Sequence, residues 1–574
     1  MCGIFFSSDQ LEAKIKKKVL SQLTVRGRDE INNLDVHGRT LLHTRLAITG
    51  TQNNSSQPYK TGSDNYIFVY NGEIYSIHDK TSDYNKRLAD YGDTITIGMM
   101  LDELGVKETM LRLNGMFSIV ILDVRNEAVL AFRDFFGQKP MFYCLDNQKI
   151  CIGSTATSLA VTLKSNSLND KALKSYLNYG FVAPELCIFE NISVLSPGAM
   201  MHYDLRTHKA EINNNFQDEN YYFKDLNDPK KNDLSAVVKH SVKDHLLSDF
   251  PISLALSGGV DSTLLAGIIN SVSQNKLETF TMRSNSVEEE ANATLACKSI
   301  GVVPTVITQK TFSKNEIQKI VASLDQPNSD TAIFSSAQIF QSASNNSKVI
   351  ILGDGGDELF QGYNRHKIAN SIFYQFRRVF KIPSFIINLF LSYPMLHQRL
   401  MILKNMAESK NIEAFNKNSL LIDRKIGEEL HFGKKIGEKP IHEIDQKFYL
   451  PGNNLYRVDR VSYLFNIEAR APLLDLRIKH YSDSVDFRNF DNQNKKILKN
   501  LRKIFYTDAA FKNKKMGFSR DIKSIFPTGM FSELVIDGLE ISDKVDVQFK
   551  YLSERRKINL AMLAIWYKDV FQKI

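Results

Sequence analysis

The sequence lacks the features that cross-link a chain or export it. Its 574 residues include only five cysteines and no CxxC pair, which disfavours both a disulfide framework and a cysteine zinc site. The first residues, MCGIFFSSDQ, have neither the basic start nor the long apolar run of a secretory signal. A cytoplasmic location is therefore expected.

Long hydrophobic runs are also missing. The most apolar segment, residues 382–396, is interrupted by Pro383 and Pro394 and is shorter than the ~20 apolar residues of a membrane span. We expect no stable membrane insertion and favour a buried helical segment. A helix lying at a membrane interface is the alternative, because basic residues precede the segment.

Charge is nearly balanced, with 73 Lys and Arg against 64 Asp and Glu spread along the chain. No zinc-finger, basic-zipper or RNA-recognition signature accompanies the net charge of +9, so a nucleic-acid partner is not expected. The 43% hydrophobic and 24% charged content is typical of a soluble globular protein. The length exceeds what one core usually supports and predicts about two to four domains, two being the working number.

The pattern changes near the middle of the chain. Residues 1–208 contain strand-like runs such as YIFVYNGEIY and FSIVILDV, which predict a β-rich domain, and a polar connection follows. In residues 230–574, apolar strands alternate with helical segments and then give way to a mostly helical pattern. This half predicts a parallel sheet covered by helices. The fold class is thus α/β and α+β in two domains.

The first chemical motif is a turn between an apolar strand, residues 251–256, and a predicted helix. It reads Ser257-Gly258-Gly259-Val260-Asp261-Ser262. Glycines allow phosphates to approach the backbone, and helix N-terminal amides with serine hydroxyls can bind their oxygens. The lysine of a Walker loop is missing, and Asp261 could hold magnesium. An ordinary glycine turn that caps a helix is the alternative.

A second motif, Gly353-Asp354-Gly355-Gly356-Asp357-Glu358, also joins an apolar strand to a helix. Both loops would lie at the carboxyl ends of parallel strands, where ligands bind. Asp261 and Asp357 are therefore predicted to share a Mg²⁺ ion that neutralises pyrophosphate. A solvated acidic turn is the alternative.

These two motifs, together with Cys2, resemble those of glutamine-hydrolysing asparagine synthetases. Further blocks follow in the order of that family and cover nearly the whole chain, most weakly from about 370 to 450. They are CGI (2–4), RGRD (26–29), HTRLAI (43–48), NGEIY (71–75), LNGMF (113–117), RD (133–134), FENI (189–192), PG (197–198), VDR (458–460), EARAPLLD (468–475) and KMGF (515–518).

The resemblance implies an N-terminal-nucleophile glutaminase with an αββα sandwich. Cys2 would attack the glutamine side-chain amide, and its own α-amino group, freed by removal of Met1, would be the base. An oxyanion hole is implied at Asn71 and the Gly72 N–H. Glutamine would be bound through its α-carboxylate and its ammonium group. The implied glutamine-binding residues are Arg45, Glu73 and Asp93. The remaining cysteines, 144, 151, 187 and 297, are interpreted as structural.

The resemblance also implies a second, ATP-pyrophosphatase site that converts a carboxylate, most simply aspartate, to an acyl-adenylate for attack by ammonia. ATP and Mg²⁺ are the implied cofactors, and a homodimer is compatible with the family. The ATP contacts implied are Leu256, Ser257, Gly258, Gly259, Asp261, Ser262, Gly353, Asp354 and Gly355, with Asp261 and Asp357 on the metal. Further synthetase-site candidates are Glu358, Arg457, Asp459 and Lys515. An interdomain channel would carry the ammonia, although the sequence names no residue in it.

Four positions depart from the family pattern. Arg28 replaces a proline in RGPD, Leu352 replaces a serine before GDGGDE, and Arg457 replaces a lysine; the proline that often follows Gly517-Phe518 is missing. Three of the four lie in the synthetase half, so an acceptor other than aspartate, such as a sugar uronic acid or a peptide or natural-product acid, is an alternative. A lactam-forming or non-catalytic relative would be expected to lose Cys2 or a phosphate loop, and both are present.

Overall fold

The architecture is taken from a computed structural model. It describes residues 2–49, 56–79, 81, 83–146, 148–164, 167–224, 233–273, 277–283, 287–363, 366, 441–485, 495–506, 511, 525–526, 529–543 and 554–574. The apolar segment 382–396 and the site candidate Lys515 lie outside these ranges. In the described part of the chain, no helix combines the length and the apolar character needed to cross a membrane.

The strands fall into an N-terminal and a C-terminal set. They are β1 (Gly3–Ser7), β2 (Glu30–Val36), β3 (Arg39–Arg45), β4 (Tyr59–Lys60), β5 (Tyr66–Ile77), β6 (Leu113–Asp123), β7 (Ala128–Arg133), β8 (Phe142–Asp146), β9 (Lys149–Gly153), β10 (Ser193–Val194), β11 (Met200–Asp204), β12 (Lys209–Asn213), β13 (Ile252–Ala255), β14 (Glu278–Met282), β15 (Thr305–Ile307), β16 (Val349–Ile351) and β17 (Glu468–Arg470).

Helices are found in both halves. They are α1 (Ala13–Leu23), α2 (Asp83–Tyr91), α3 (Asp93–Leu104), α4 (Val106–Arg112), α5 (Ala156–Leu163), α6 (Asp170–Tyr179), α7 (Tyr221–Lys224), α8 (Leu234–His245), α9 (Val260–Val272), α10 (Val287–Ser299), α11 (Lys314–Ala322), α12 (Ala332–Ala343), α13 (Gly356–Leu359), α14 (Ile441–Ile444), α15 (Leu455–Leu464), α16 (Leu476–Ser484), α17 (Lys496–Arg502), α18 (Met530–Asp543) and α19 (Glu554–Asp569). A π-helix, Asp445–Asn454, leads into α15.

Two six-stranded antiparallel sheets form the centre of the N-terminal half. Their strand orders are β10-β8-β9-β1-β3-β2 and β12-β11-β7-β6-β5-β4. On β1, Ile4 and Phe6 pack between the sheets, whereas Phe5 packs with the helices outside them. Because side chains alternate along a strand, burial of both faces requires an unbroken apolar run. The four-layer αββα sandwich implied by the resemblance is confirmed.

The C-terminal half contains one five-stranded parallel sheet with the order β15-β14-β13-β16-β17. The chain moves outward from β13 through β14 to β15 and then returns to the other side of β13 with β16. The loops that follow β13 and β16 therefore lie at the point where the strand order reverses, which is where ligands bind in open α/β sheets. The predicted parallel sheet with a mostly helical end is confirmed.

Two strands lie where the sequence prediction did not place one. Strand β12, which pairs with β11 along its whole length, lies beyond the predicted limit at residue 208, so the antiparallel unit extends to at least Asn213. Strand β17 joins the edge of the parallel sheet by pairing with β16. Its three residues, 468–470, fall in a region that the sequence predicts as mostly helical. So short a buried strand carries no periodic signal of its own.

Candidate active sites

The backbone of Cys2 is bound by the strand that carries the predicted oxyanion hole. Cys2 directly precedes β1, and its nitrogen donates a hydrogen bond to Asn71 Oδ1 at 2.8 Å. Asn71 is fully buried on β5. At the next position, Gly72, a Cβ would overlap the carbonyl oxygen of Met116 on β6, so this close approach of the strands requires glycine.

The thiol of Cys2 is not activated by its surroundings alone. Burial raises the pKa of the Cys2 thiol above its ordinary value, because a thiolate loses solvation there. The thiol therefore stays protonated at neutral pH until a base removes the proton. The nitrogen that contacts Asn71 is the atom predicted to serve as that base after removal of Met1.

The predicted glutamine-binding residues near Cys2 carry charges of both signs. Arg45 on β3 contacts Glu30 Oε2 at 3.4 Å and the Thr49 carbonyl oxygen at 3.2 Å. Glu73 and Asp93 are buried, and burial raises the pKa of both carboxyls. Each carboxylate would be stabilised by a nearby cation such as the ammonium group of an amino acid.

Two residues of this region come from the other half of the chain and were not predicted. Arg470 on β17 lies with its Nη2 3.3 Å from Glu73 Oε2 and its Nε 2.8 Å from Glu468 Oε1. Both Arg470 and Glu468 are buried, and despite burial the neighbouring cations lower the pKa of Glu468 to about 2. The only sequence signal for them is the block EARAPLLD, which gave no indication of contact with the N-terminal half.

The serine–glycine loop opens directly from β13 into α9. Gly258 has φ +76°, and a Cβ there would overlap the Glu289 carbonyl oxygen. The Ser257 hydroxyl lies 3.1 Å from that of Ser262 and accepts a hydrogen bond from the Gly259 N–H at 3.3 Å. Leu256, at the end of the strand, is buried. The loop thus gathers two hydroxyls and a helix N-terminus, donors that suit phosphate oxygens.

The second loop meets the first at Asp261. An added Cβ would lie 2.6 Å from Asp261 Cγ at Gly356, and 3.0 Å from Asp261 Cβ at Gly353. Both glycines therefore allow the Asp261 side chain to pack against the loop that follows β16. Gly355 between them has φ +91°, a conformation that glycine adopts most readily.

Lys495, which the sequence did not indicate as a site residue, joins the two predicted metal ligands. Lys495 Nζ contacts Asp261 Oδ2 and lies 2.7 Å from Asp357 Oδ1. Among the residues that the structure describes, no third carboxylate, histidine or cysteine completes a metal-binding group around this pair. Lys495 stands in a lysine-rich segment, KKILKNLRK, which is typical of a solvated helix face and conceals its buried position.

Glu358 directly follows Asp357 in the sequence, and its side chain is buried in the protein interior. Its Oε1 accepts hydrogen bonds from Tyr363 Oη at 2.6 Å and Asn454 Nδ2 at 3.0 Å. Burial, and secondarily the charge of Asp357, raises the pKa of Glu358 to about 7. This carboxyl can therefore hold or release a proton near neutral pH.

The other two described synthetase candidates make different contacts. Arg457 Nη1 donates to Ser336 Oγ at 2.8 Å. Asp459 lies between the two halves, where it accepts two hydrogen bonds from Arg26 at 2.8 and 3.0 Å and pairs with Arg460 Nη1 at 2.5 Å. These arginines hold the pKa of Asp459 far below its usual range despite burial. The carboxylate is thus committed to the interdomain contact.

A small cavity lies between the halves and touches residues of both candidate sites. Its wall includes Arg470, which contacts Glu73, and Asp354, which belongs to the loop after β16. The remaining lining residues are Met116, Gln138, Lys139, Leu352, Leu455, Val458, Asp459, Ala469 and Ala471. Leu352, where the family pattern has serine, therefore contributes to this wall.

Comparison with known proteins agrees with this two-part organisation. The family model described as asparagine synthase matches residues 233–572, and the glutamine amidotransferase domain matches residues 1–217. Asparagine synthetase (glutamine-hydrolyzing) 1 of Bacillus subtilis is 23% identical over 83% of this chain and 79% of its own. A putative asparagine synthetase (glutamine-hydrolyzing) 2 of Methanocaldococcus jannaschii is 27% identical over 67% of this chain and 79% of its own.

Among solved structures, the glutamine phosphoribosylpyrophosphate amidotransferase of B. subtilis aligns with a TM-score of 0.28 at 12% identity, over 55% of this chain and 67% of that one. The asparagine synthase model alone spans more than half of the present sequence. The chain therefore belongs to the asparagine synthase family, with a glutamine amidotransferase domain ahead of the synthase domain.

Proposed function

We propose that this protein converts aspartate to asparagine, using glutamine as the nitrogen source and ATP to activate the carboxylate. The products would be asparagine, glutamate, AMP and pyrophosphate. The observation that carries the proposal is the interdomain cavity, which is lined both by Arg470, the partner of Glu73, and by Asp354. A cavity that touches residues of both sites suits a reaction in which one site makes ammonia and the other consumes it.

In the first site, the Cys2 thiol would attack the side-chain carbonyl carbon of glutamine while the Cys2 amino group takes the thiol proton. The negative oxygen that forms would be stabilised by Asn71 and by the Gly72 N–H, a type of contact often worth ~10²-fold in rate. Ammonia then leaves, and water hydrolyses the thioester to glutamate. Arg45 suits the substrate carboxylate, and the raised pKa values of Glu73 and Asp93 favour a cationic partner beside them.

In the second site, the residues fit a divalent cation. Asp261 and Asp357 converge on one ammonium group, so the position between them already accommodates positive charge. Mg²⁺ bound there would neutralise the departing pyrophosphate. The serine–glycine loop would bind phosphate oxygens while the acceptor carboxylate attacks the α-phosphorus, which forms the acyl-adenylate and releases pyrophosphate.

The charges on the cavity wall are balanced in sign. Lys139 and Arg470 share the wall with the carboxylates of Asp354 and Asp459, and Lys139 Nζ lies 3.8 Å from Asp459 Oδ1. Most of the other lining residues are apolar. Such a wall suits neutral ammonia, the nucleophile required, because a charged ammonium ion would lose its hydration there.

The test is pyrophosphate release by Met1-processed protein given ATP, Mg²⁺ and glutamine, with and without aspartate, together with product analysis. We expect aspartate-dependent release and asparagine in equal amounts. Glutamate formation without aspartate-dependent release would refute aspartate as the acceptor while leaving the amidotransferase reaction in place. A homodimer and a cytoplasmic location remain predictions.

A further inference from the structure

An ammonium group of the chain itself occupies the position between the two predicted metal ligands. Lys495 Nζ bridges Asp261 and Asp357, and the three side chains are 6%, 12% and 15% exposed. Two neighbouring carboxylates with so little solvent repel each other strongly unless a cation lies between them. The lysine supplies that charge.

Two backbone features, at Lys495 itself and at Gly362, support the position of the Lys495 side chain. Its backbone has φ +55°, a left-handed conformation that costs a residue other than glycine about 1 kcal/mol or more. At Gly362, a Cβ would overlap both Lys495 Cε and Asp357 Oδ1. A glycine thus opens the path that the lysine side chain follows to the two carboxylates.

The lysine forms an ion pair with each of the two carboxylates through its single ammonium group. A divalent ion approaching the same two carboxylates would therefore meet a fixed positive charge. At short range in a buried site, that repulsion is strong.

We propose that Lys495 is an internal counter-ion that excludes a lone metal ion from the Asp261–Asp357 pair and yields this position only when phosphates arrive. The identity of those phosphates, the triphosphate of ATP, rests on the proposed function. Phosphate oxygens provide Lys495 with a new anionic partner and provide Mg²⁺ with the additional oxygen ligands that it prefers. Metal and nucleotide therefore load together.

The test compares the full-length protein with the variant Lys495→Met, which keeps the length of the side chain and removes its charge. Thermal unfolding is followed in EDTA, in Mg²⁺ alone, and in Mg²⁺ with an ATP analogue that cannot be cleaved between the α- and β-phosphates. Mn²⁺ affinity without nucleotide is measured by electron paramagnetic resonance. Lys503→Met is the matched control, because Lys503 follows the same helix, α17, and is exposed.

We expect the wild type and Lys503→Met to be stabilised only by Mg²⁺ together with the analogue. Lys495→Met is expected to melt at a lower temperature in EDTA and to be restored by Mg²⁺ alone. Its Mn²⁺ affinity should rise at least about tenfold, equivalent to about 1.4 kcal/mol. A wild type that responds to metal alone as strongly as the variant would overturn the proposal, as would a folded variant with unchanged Mn²⁺ affinity.

If Lys495→Met folds only in Mg²⁺, the proposal is supported. If it folds in neither condition, the double variant Lys495→Met/Asp357→Asn decides, because a single carboxylate no longer needs the counter-ion and this protein should fold. A double variant that also fails would assign Lys495 a purely structural role and overturn the proposal. The comparison of wild type and variant in Mg²⁺ alone does not depend on pyrophosphate release. Failure of the proposed function can therefore be distinguished from failure of this inference.

Discussion

Cys2 is held through its backbone from two directions. Its nitrogen donates to Asn71 Oδ1 at 2.8 Å, and its carbonyl oxygen accepts from Arg26 Nε at 3.0 Å. These contacts fix the backbone of the proposed nucleophile independently of its side chain. The thiol can therefore be removed with little disturbance of the surrounding structure.

We predict that Cys2→Ala abolishes glutamine-dependent amidation and leaves the ammonia-dependent reaction near the wild-type rate, because the two proposed reactions are assigned to separate halves. Glutamate and pyrophosphate are measured with glutamine or with an ammonium salt as the nitrogen source. Cys144→Ala is the matched control, since Cys144 is buried on β8 and should retain both reactions. Loss of the ammonia reaction in folded Cys2→Ala would refute this division.

Glu358 predicts a pH dependence of stability. Its pKa is raised from 4.5 to about 7 in the folded protein, so the folded state binds the proton more tightly than the unfolded state does. Below about pH 4 the carboxyl is protonated in both states and does not affect the free energy of unfolding. As the pH rises from there to about 7, its tendency to ionise lowers the free energy of unfolding progressively.

We predict that Glu358→Gln removes this part of the pH dependence, since an amide oxygen can still accept from Tyr363 and Asn454. Relative to the wild type, the free energy of unfolding of Glu358→Gln should rise between about pH 4 and pH 7, by at most about 3 kcal/mol. Urea unfolding at a series of pH values measures the difference. A gap that is constant with pH would contradict the raised pKa.

At the scale of structural elements, the loops after β13 and β16 fit together through glycine. We predict that Gly356→Ala displaces Asp261, whose Cγ would lie 2.6 Å from the added Cβ, and lowers ATP-dependent pyrophosphate release by about tenfold or more, with a stability loss of about 1–3 kcal/mol. Glutaminase activity should be retained. Gly62→Ala is the control, because the nearest atom to its Cβ, Asp102 Oδ2, is 3.6 Å away. Unchanged pyrophosphate release would show that Asp261 tolerates the displacement.

The structural elements differ in how well the sequence predicts them. Loops after β13 and β16 could be predicted, because an apolar strand, a glycine turn and a helix are local patterns and parallel strands end at one edge. Lys495 and Arg470 could not be assigned, because Asp261 and Glu73, which they contact, lie far away in sequence, 234 residues in the case of Lys495. The same reason explains why the contact of Asp459, a predicted synthetase-site candidate, with Arg26 of the other half could not be foreseen.

At the scale of the whole molecule, the buried contact between the halves is rich in charge and also contains the cavity. The Asp459 carboxylate is buried between Arg26, Arg460 and Lys139. Removing one partner of such a buried pair typically costs ~3–5 kcal/mol. The interface therefore fixes the relative position of the two sites through which ammonia would pass.

We predict that Val458→Phe, at a position that lines the cavity, obstructs transfer of ammonia. Overpacking should cost about 1–3 kcal/mol of stability, and the ratio of glutamate formed to pyrophosphate released should rise. Added ammonium salt should restore amidation, because it reaches the second site from solvent. A ratio equal to that of the wild type would argue against this cavity as the route.

The pairing of Arg470 with Glu73 also limits how such a chain can be recombined. Strand β17 belongs to the sheet of the second half, yet its arginine lies 3.3 Å from a carboxylate of the first. A fragment ending before β17 would leave Glu73 without this cation. The two halves therefore cannot be exchanged independently. A fusion of the first half to an unrelated domain would need a strand equivalent to β17 to supply this arginine.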